Sequence, residues 1–87
     1  MTIQEAMELI EATEYVYGFG NPVMRGFAVF LRYGDNMDVS AEHEELFVGP
    51  KQDFAEYVAK MSVGDIVELA AAGWRIDEVM ECWHHFT

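Results

Sequence analysis

The chain has 87 residues, 52% of them hydrophobic and 14% aromatic, with sixteen acids against five bases and a formal charge of −11. That length makes one domain, residues 1–87, and excludes two, while the apolar content excludes a disordered acidic tail. The charge disfavours nucleic acid and anionic lipid as direct ligands and speeds encounter with basic surfaces, and the lone cysteine, Cys82, excludes an intrachain disulfide framework.

Thr2-Ile3-Gln4-Glu5 has the spacing of a capping box at a helix start. Ile3, Ala6, Met7, Leu9 and Ile10 then gather on one face of a helix, with Glu5, Glu8 and Glu11 opposite, and the helix is expected to stop near Thr13 because Glu14 falls back onto the apolar stripe. Gly18, Gly20, Asn21 and Pro22 read as a loop. Gly18-Phe19-Gly20 lacks the preceding strand, the third glycine and the following helix of a phosphate-binding turn.

From Gly26 to Tyr33 apolar residues alternate in a period of two, with both faces greasy, which predicts a covered central strand. Gly34-Asp35-Asn36 is turn chemistry that would fold Met37–Ser40 back against it. The polar Ala41–Glu45 segment predicts a second tight turn and Leu46–Val48 a third short strand, closed by Gly49-Pro50 with proline opening the next helix. In that helix Phe54, Tyr57, Val58 and Met61 share the inner face. Ser62 caps a further helix with Val63, Ile66, Val67, Leu69 and Ala70 inward and Asp65 and Glu68 outward, ended by Gly73.

Trp74–Phe86 plots either as a helix or as a strand. Its content of Trp, Ile, Val, Cys and Phe, and the support another strand would lend a small sheet, favour the strand. The fold class expected is therefore α+β: an N-terminal helix, an antiparallel sheet of two to four strands, two consecutive helices and a C-terminal strand.

No catalytic or cofactor motif is present, and the expectation is a protein that is not an enzyme and takes no cofactor. Cys82, His84 and His85, with Glu81 beside them and His43 elsewhere, are the metal-ligating types. On a strand Cys82 and His84 face one way and His85 the other, two convergent donors where a zinc site wants four. Glu44 and Glu45 would point to opposite faces, which does not suit shared acid–base chemistry. The two consecutive helices offer a DNA groove only Asp65, Glu68 and alanines, so no direct nucleic acid is expected.

The acids themselves remain. The first 24 residues hold Glu5, Glu8, Glu11 and Glu14 and no base, and Asp35, Asp38, Glu42, Glu44 and Glu45 follow in the hairpin region. Glu5, Glu8 and Glu11 recur every third residue along a helix surface, ~5–6 Å apart at their bases, close to the spacing of successive phosphates. Guanidinium forks accept carboxylate and phosphate alike.

In size, charge and lack of catalytic residues the chain resembles the small acidic inhibitors, of the anti-CRISPR and antirestriction type, that phages and other mobile elements carry against host defence nucleases. The resemblance covers no motif and assigns no residue a role. It implies a stoichiometric protein partner and no turnover. The expected function is a nucleic-acid mimic that occupies the channel of a basic nucleic-acid-binding protein or nuclease complex through Glu5, Glu8, Glu11, Asp35, Asp38, Glu42, Glu44 and Glu45. The alternative is a regulatory or antitoxin-like subunit docking through an aromatic face of Tyr17, Phe19, Trp83 and Phe86. No apolar run reaches the ~18 residues of a membrane span. The N-terminus, with Glu5 and Glu8, has no basic signal-peptide start, so a cytoplasmic location, in a bacterial host if phage-encoded, and no membrane partner are expected.

Overall fold

The computed structural model describes residues 1–16 and 20–86. Thr2 opens α1 (Ile3–Ala12) with a complete capping box: its hydroxyl accepts from the Glu5 N–H at 3.1 Å, and the Glu5 carboxylate accepts from the Thr2 N–H at 2.9 Å. Ala6 and Ile10 are buried and Thr13 ends the helix, as its pattern requires. Tyr17, Gly18 and Phe19, on which part of the expected loop falls, lie outside the described residues.

The first correction concerns Gly26–Tyr33, which is no strand. Pro22–Phe30 is a second helix, α2, continued by a single 3-10 turn over Leu31–Tyr33. Asn21 caps it by accepting from the N–H groups of Val23 and Met24, and Pro22 occupies the first turn, where its missing N–H costs nothing. Asn21-Pro22 is thus a helix start and not a loop. The apolar run satisfies both periods, and Gly26, Val29 and Phe30 form the buried face at helical spacing.

Met37–Glu42 (β1) accordingly pairs with Glu45–Pro50 (β2), through a tight turn at His43-Glu44 in which His43 takes a positive φ of 57°. Pro50 ends β2 and does not open the next helix. That helix, α3 (Phe54–Lys60), is capped by Asp53, whose carboxylate accepts from the Glu56 N–H. Phe54, Tyr57, Val58 and Met61 are buried as expected. Ser62 caps α4 (Val63–Ala71), and Gly73 follows at φ 88°. The last stretch holds two strands, β3 (Arg75–Asp77) and β4 (Cys82–Phe86), so the fold is α+β with a four-stranded antiparallel sheet in the order β1-β2-β4-β3.

The core lies between the helices and one sheet face. Val48 and Trp83, cross-strand partners, point into it, and ring contacts run from Phe27 and Trp74 through Phe30 to Trp83 and Phe54. Among the described residues no helix is long and apolar enough to cross a membrane.

Two expectations for α4 are reversed: Val63 is 58% exposed, and Asp65 is drawn inward. Arg32 bonds to Asp65 and Glu68, and the Tyr33 hydroxyl donates to Asp65 while accepting from the Ser62 N–H at 3.0 Å. The network fastens the end of α2 to the start of α4. The Tyr33 hydrogen bond, then Arg32, holds the Asp65 carboxyl below its ordinary range against the opposing pull of burial. A carboxyl whose pKa falls on folding stabilises the protein above its unfolded value of about 3.9, and that contribution is lost as pH drops through the lowered folded value. Asp65→Ala is expected to cost about 1–2 kcal/mol near neutrality. Thermal melts of wild type and variant should converge as the pH falls below about 4.

Candidate functional site

All the regular alternation of the sheet resolves into two faces. Met37, Leu46, Val48, Ile76 and Trp83 face or border the core. The opposite side holds Asp38, Ser40 and Glu42 of β1, Glu45, Phe47 and Gly49 of β2, Cys82, His84 and Phe86 of β4, and Arg75 and Asp77 of β3. Among the described residues none of these belongs to the main core cluster, although Cys82 is 6% exposed and the His84 side chain 14%.

Register orders this open face into rows. Glu42 stands opposite Glu45, and Glu45 opposite Phe86. Ser40, Phe47, His84 and Arg75 form a second row, and Asp38 pairs with Gly49 while Cys82 pairs with Asp77. Across and along the strands, three rings meet. Phe47 and His84 lie 5.0 Å apart between centroids, and His84 and Phe86 4.5 Å apart and nearly perpendicular. Phe86 is 67% exposed. His84 Nε2 stands 3.5 Å from a Glu45 carboxylate oxygen, and His43, Glu44, Glu45 and Phe86 line a shallow groove at one end of the ladder.

At the other end the β3–β4 turn leans over the sheet. Its Asp77 carboxylate accepts from the N–H groups of Val79 and Met80 at 3.0 Å, and Glu81 takes a positive φ of 54°. Met80, Glu81, Cys82, Gly49, Phe47, Ser40 and Asp38 enclose a second groove. Burial, and then the charge of Asp77, pushes the Cys82 thiol up, which keeps it protonated and a poor nucleophile. Cys82 and His84 do share a face, with His85 turned inward, its Nε2 3.1 Å from the Ala72 carbonyl oxygen. Among the described residues no group of three or more His, Cys, Asp or Glu side chains converges as metal ligands.

The acids singled out by the sequence fall into two groups. Glu5, Glu8 and Glu11 are exposed on α1, which packs on α3, α4 and the edge strand β3; Glu5 serves the cap, Glu8 lies 3.4 Å from Gln4, and Glu11 borders a small groove with Arg75. Asp38, Glu42, Glu44 and Glu45 stand on or beside the open face at the β1–β2 side, with Asp35 exposed in the turn ahead of it. Three strand spacings, ~14 Å, separate the two edges. A single flat surface does not collect both groups. Arg32 is committed to Asp65 and Glu68, and Lys51 approaches Asp38 at 3.7 Å, between exposed side chains that screen one another weakly.

The aromatic face expected from Tyr17, Phe19, Trp83 and Phe86 is corrected in one member: Trp83 is wholly buried in the core. Phe86 stays outside, and Tyr17 and Phe19 lie outside the described residues. Phe47 is the residue that reasoning from the sequence misses. Its signal is its parity with Glu45, which becomes informative only once β2 is paired with β4.

No family model, curated protein or solved structure matches the chain at a significant level.

Proposed function

We propose that the chain is a non-enzymatic acidic protein-binding module that occupies the nucleic-acid-binding surface of a basic protein or nuclease complex, as a phage-type inhibitor of a bacterial defence nuclease does in the cytoplasm of its host. Asp38, Glu42, Glu44 and Glu45 make the contact, and the α1 acids contribute long-range attraction. The observation that carries this reading is the uncovered sheet face with Glu42 directly across from Glu45. Like charges in direct cross-strand register are destabilising, and among the described residues only Glu45 of the two has a side-chain contact within the fold, at 3.5 Å from His84, so the pairing of the two acids favours a role outside the fold. Lys and Arg side chains that normally grip phosphate exchange it for these carboxylates, and the charge of −11 accelerates encounter.

The test is retention of a bacterial lysate's basic proteins on the immobilised chain, followed by elution with polynucleotide. Raising salt from about 50 to 200 mM should lower retention by at least roughly tenfold. Duplex DNA or structured RNA should compete. Glu42→Lys with Glu45→Lys should release the partner, whereas Glu8→Lys with Glu11→Lys should weaken it only slightly. Salt-independent retention, or full retention by the Glu42/Glu45 reversal, refutes the mimic.

The second reading, a regulatory or antitoxin-like subunit docking through apolar contacts, draws on α2 and the 3-10 turn after it, whose outward side holds Met24, Ala28 and Leu31, with Met24 70% and Leu31 59% exposed. It predicts association that salt leaves unchanged and that Met24→Glu abolishes in gel filtration.

A further inference from the structure

We infer that Phe86, the exposed end of the Phe47–His84–Phe86 ladder, is a stacking platform for a guanidinium group, so that the open face selects arginine-bearing segments of its partner over lysine-bearing ones of equal charge. This rests on the acidic-module reading and names the partner's chemistry. The argument begins with an imbalance. Phe86 keeps 67% of its surface in water although it is paired with Glu45 in the sheet and packs edge-on against His84. An exposed ring contributes little to the fold, and the sheet offers no helix to cover it.

What surrounds the rings is the second observation. Glu45 is the cross-strand partner of Phe86 and touches His84, Glu42 is the next residue across, and Glu44 shares a groove with Phe86. The outermost ring therefore has a carboxylate within about one strand spacing, ~5 Å. Aromatic faces bordered by carboxylates fit one side chain above others. The guanidinium is planar and weakly hydrated; it lies flat on a ring while its N–H donors, in the same plane, reach sideways to carboxylate oxygens. A lysine ammonium is a hydrated point charge and uses the carboxylates alone. The bases of this face stand at its margins, Arg75 on edge strand β3 and Lys51 beside Asp38.

Charge also decides between occupants. A single-stranded nucleic acid could stack its bases on the same rings, but its phosphates would then run against Asp38, Glu42, Glu44 and Glu45. A second copy related by a twofold axis would set those carboxylates against themselves. An arginine-bearing loop or extended segment of another protein meets neither obstacle.

The experiment titrates the full chain into fluorescently labelled oligo-arginine and oligo-lysine peptides of equal length at low salt, read by anisotropy. The arginine peptide should bind about tenfold tighter. Phe86→Leu, which keeps an apolar side chain but removes the ring, should abolish that preference and leave lysine-peptide affinity in place. Because the ring is two-thirds exposed, the variant should melt with the wild type. Equal affinity for the two peptides, or an unchanged preference in Phe86→Leu, overturns the stacking site. The acidic reading survives that result if both peptides still lose affinity in Glu42→Lys/Glu45→Lys, and falls with it if neither peptide binds. Tight binding of a labelled oligothymidylate that Phe86→Leu abolishes, or a dimer that Phe86→Leu dissociates, overturns the assignment of the occupant.

Discussion

Replacing Trp74 by alanine should remove about 3–5 kcal/mol of stability, the upper range for a buried aromatic truncation. A domain of this length holds roughly 4–13 kcal/mol in all, so the variant is expected to be partly unfolded at 25 °C or to melt roughly 15–30 °C lower. The size of the effect follows from position. Trp74 has no exposed surface, its Nε1–H donates to the Pro22 carbonyl at 3.0 Å, and its ring meets Phe30 edge-on at 5.1 Å and Phe27 at 6.1 Å while lying 5.0 Å from His85. One side chain thereby joins α2 to the strand β4. Trp83 provides the internal comparison. It is equally buried, but its Nε1–H has no partner among the described residues. Trp74→Phe loses a hydrogen bond as well as volume, whereas Trp83→Phe removes a donor that has no partner among the described residues. Urea titrations should rank Trp74→Phe as the more damaging of the two. The reverse order would mean that the indole–carbonyl bond contributes nothing to the attachment of α2.

The elements that were legible in the sequence are those with chemical signals at their ends. Thr2 with Glu5, Ser62 and Gly73 marked the limits of α1 and α4, and the amphipathic spacing of Phe54, Tyr57, Val58 and Met61 identified α3. Where a run is apolar throughout, periodicity has nothing to contrast with. Gly26–Tyr33 alternates and also repeats at helical spacing, and only Asn21-Pro22 ahead of it carried the decision. Pro50 misled for the opposite reason: proline suits a helix's first turn, but it also suits the end of a strand.

The open face was legible only in fragments. Asp38, Glu42 and Glu45 were visible as charges, and Cys82 and His84 as residues of one parity. What joins them is the pairing of β2 with β4, a contact between segments far apart in the chain that no local pattern encodes. The same topology separates the acids of α1 from those of the hairpin, which the sequence presents simply as two acidic stretches. The fold thus sets rings among carboxylates on one face, an arrangement that net charge alone does not describe.

Gly26→Ala should destabilise the protein although it improves helix propensity. In an exposed helix the exchange gains about 1 kcal/mol. Here a Cβ built on Gly26 would lie 2.2 Å from Trp74 Nε1 and 2.3 Å from Cε2, inside any permitted contact. The obstacle is a rigid ring anchored in the core, so either α2 must lift or the indole must turn out of its bond to Pro22. Overpacking of this kind costs typically about 1–3 kcal/mol and occasionally more. With the overpacking cost at the top of that range and the propensity gain set against it, the net expectation is a loss of about 2 kcal/mol and a Tm lower by roughly 8–16 °C. Trp74→Leu removes the ring atoms Nε1, Cε2 and Cζ2 that the added Cβ meets, so Gly26→Ala should cost less in the Trp74→Leu background than in the wild type, a coupling that a double-mutant cycle reads directly. A neutral or stabilising Gly26→Ala would mean that α2 does not rest on Trp74.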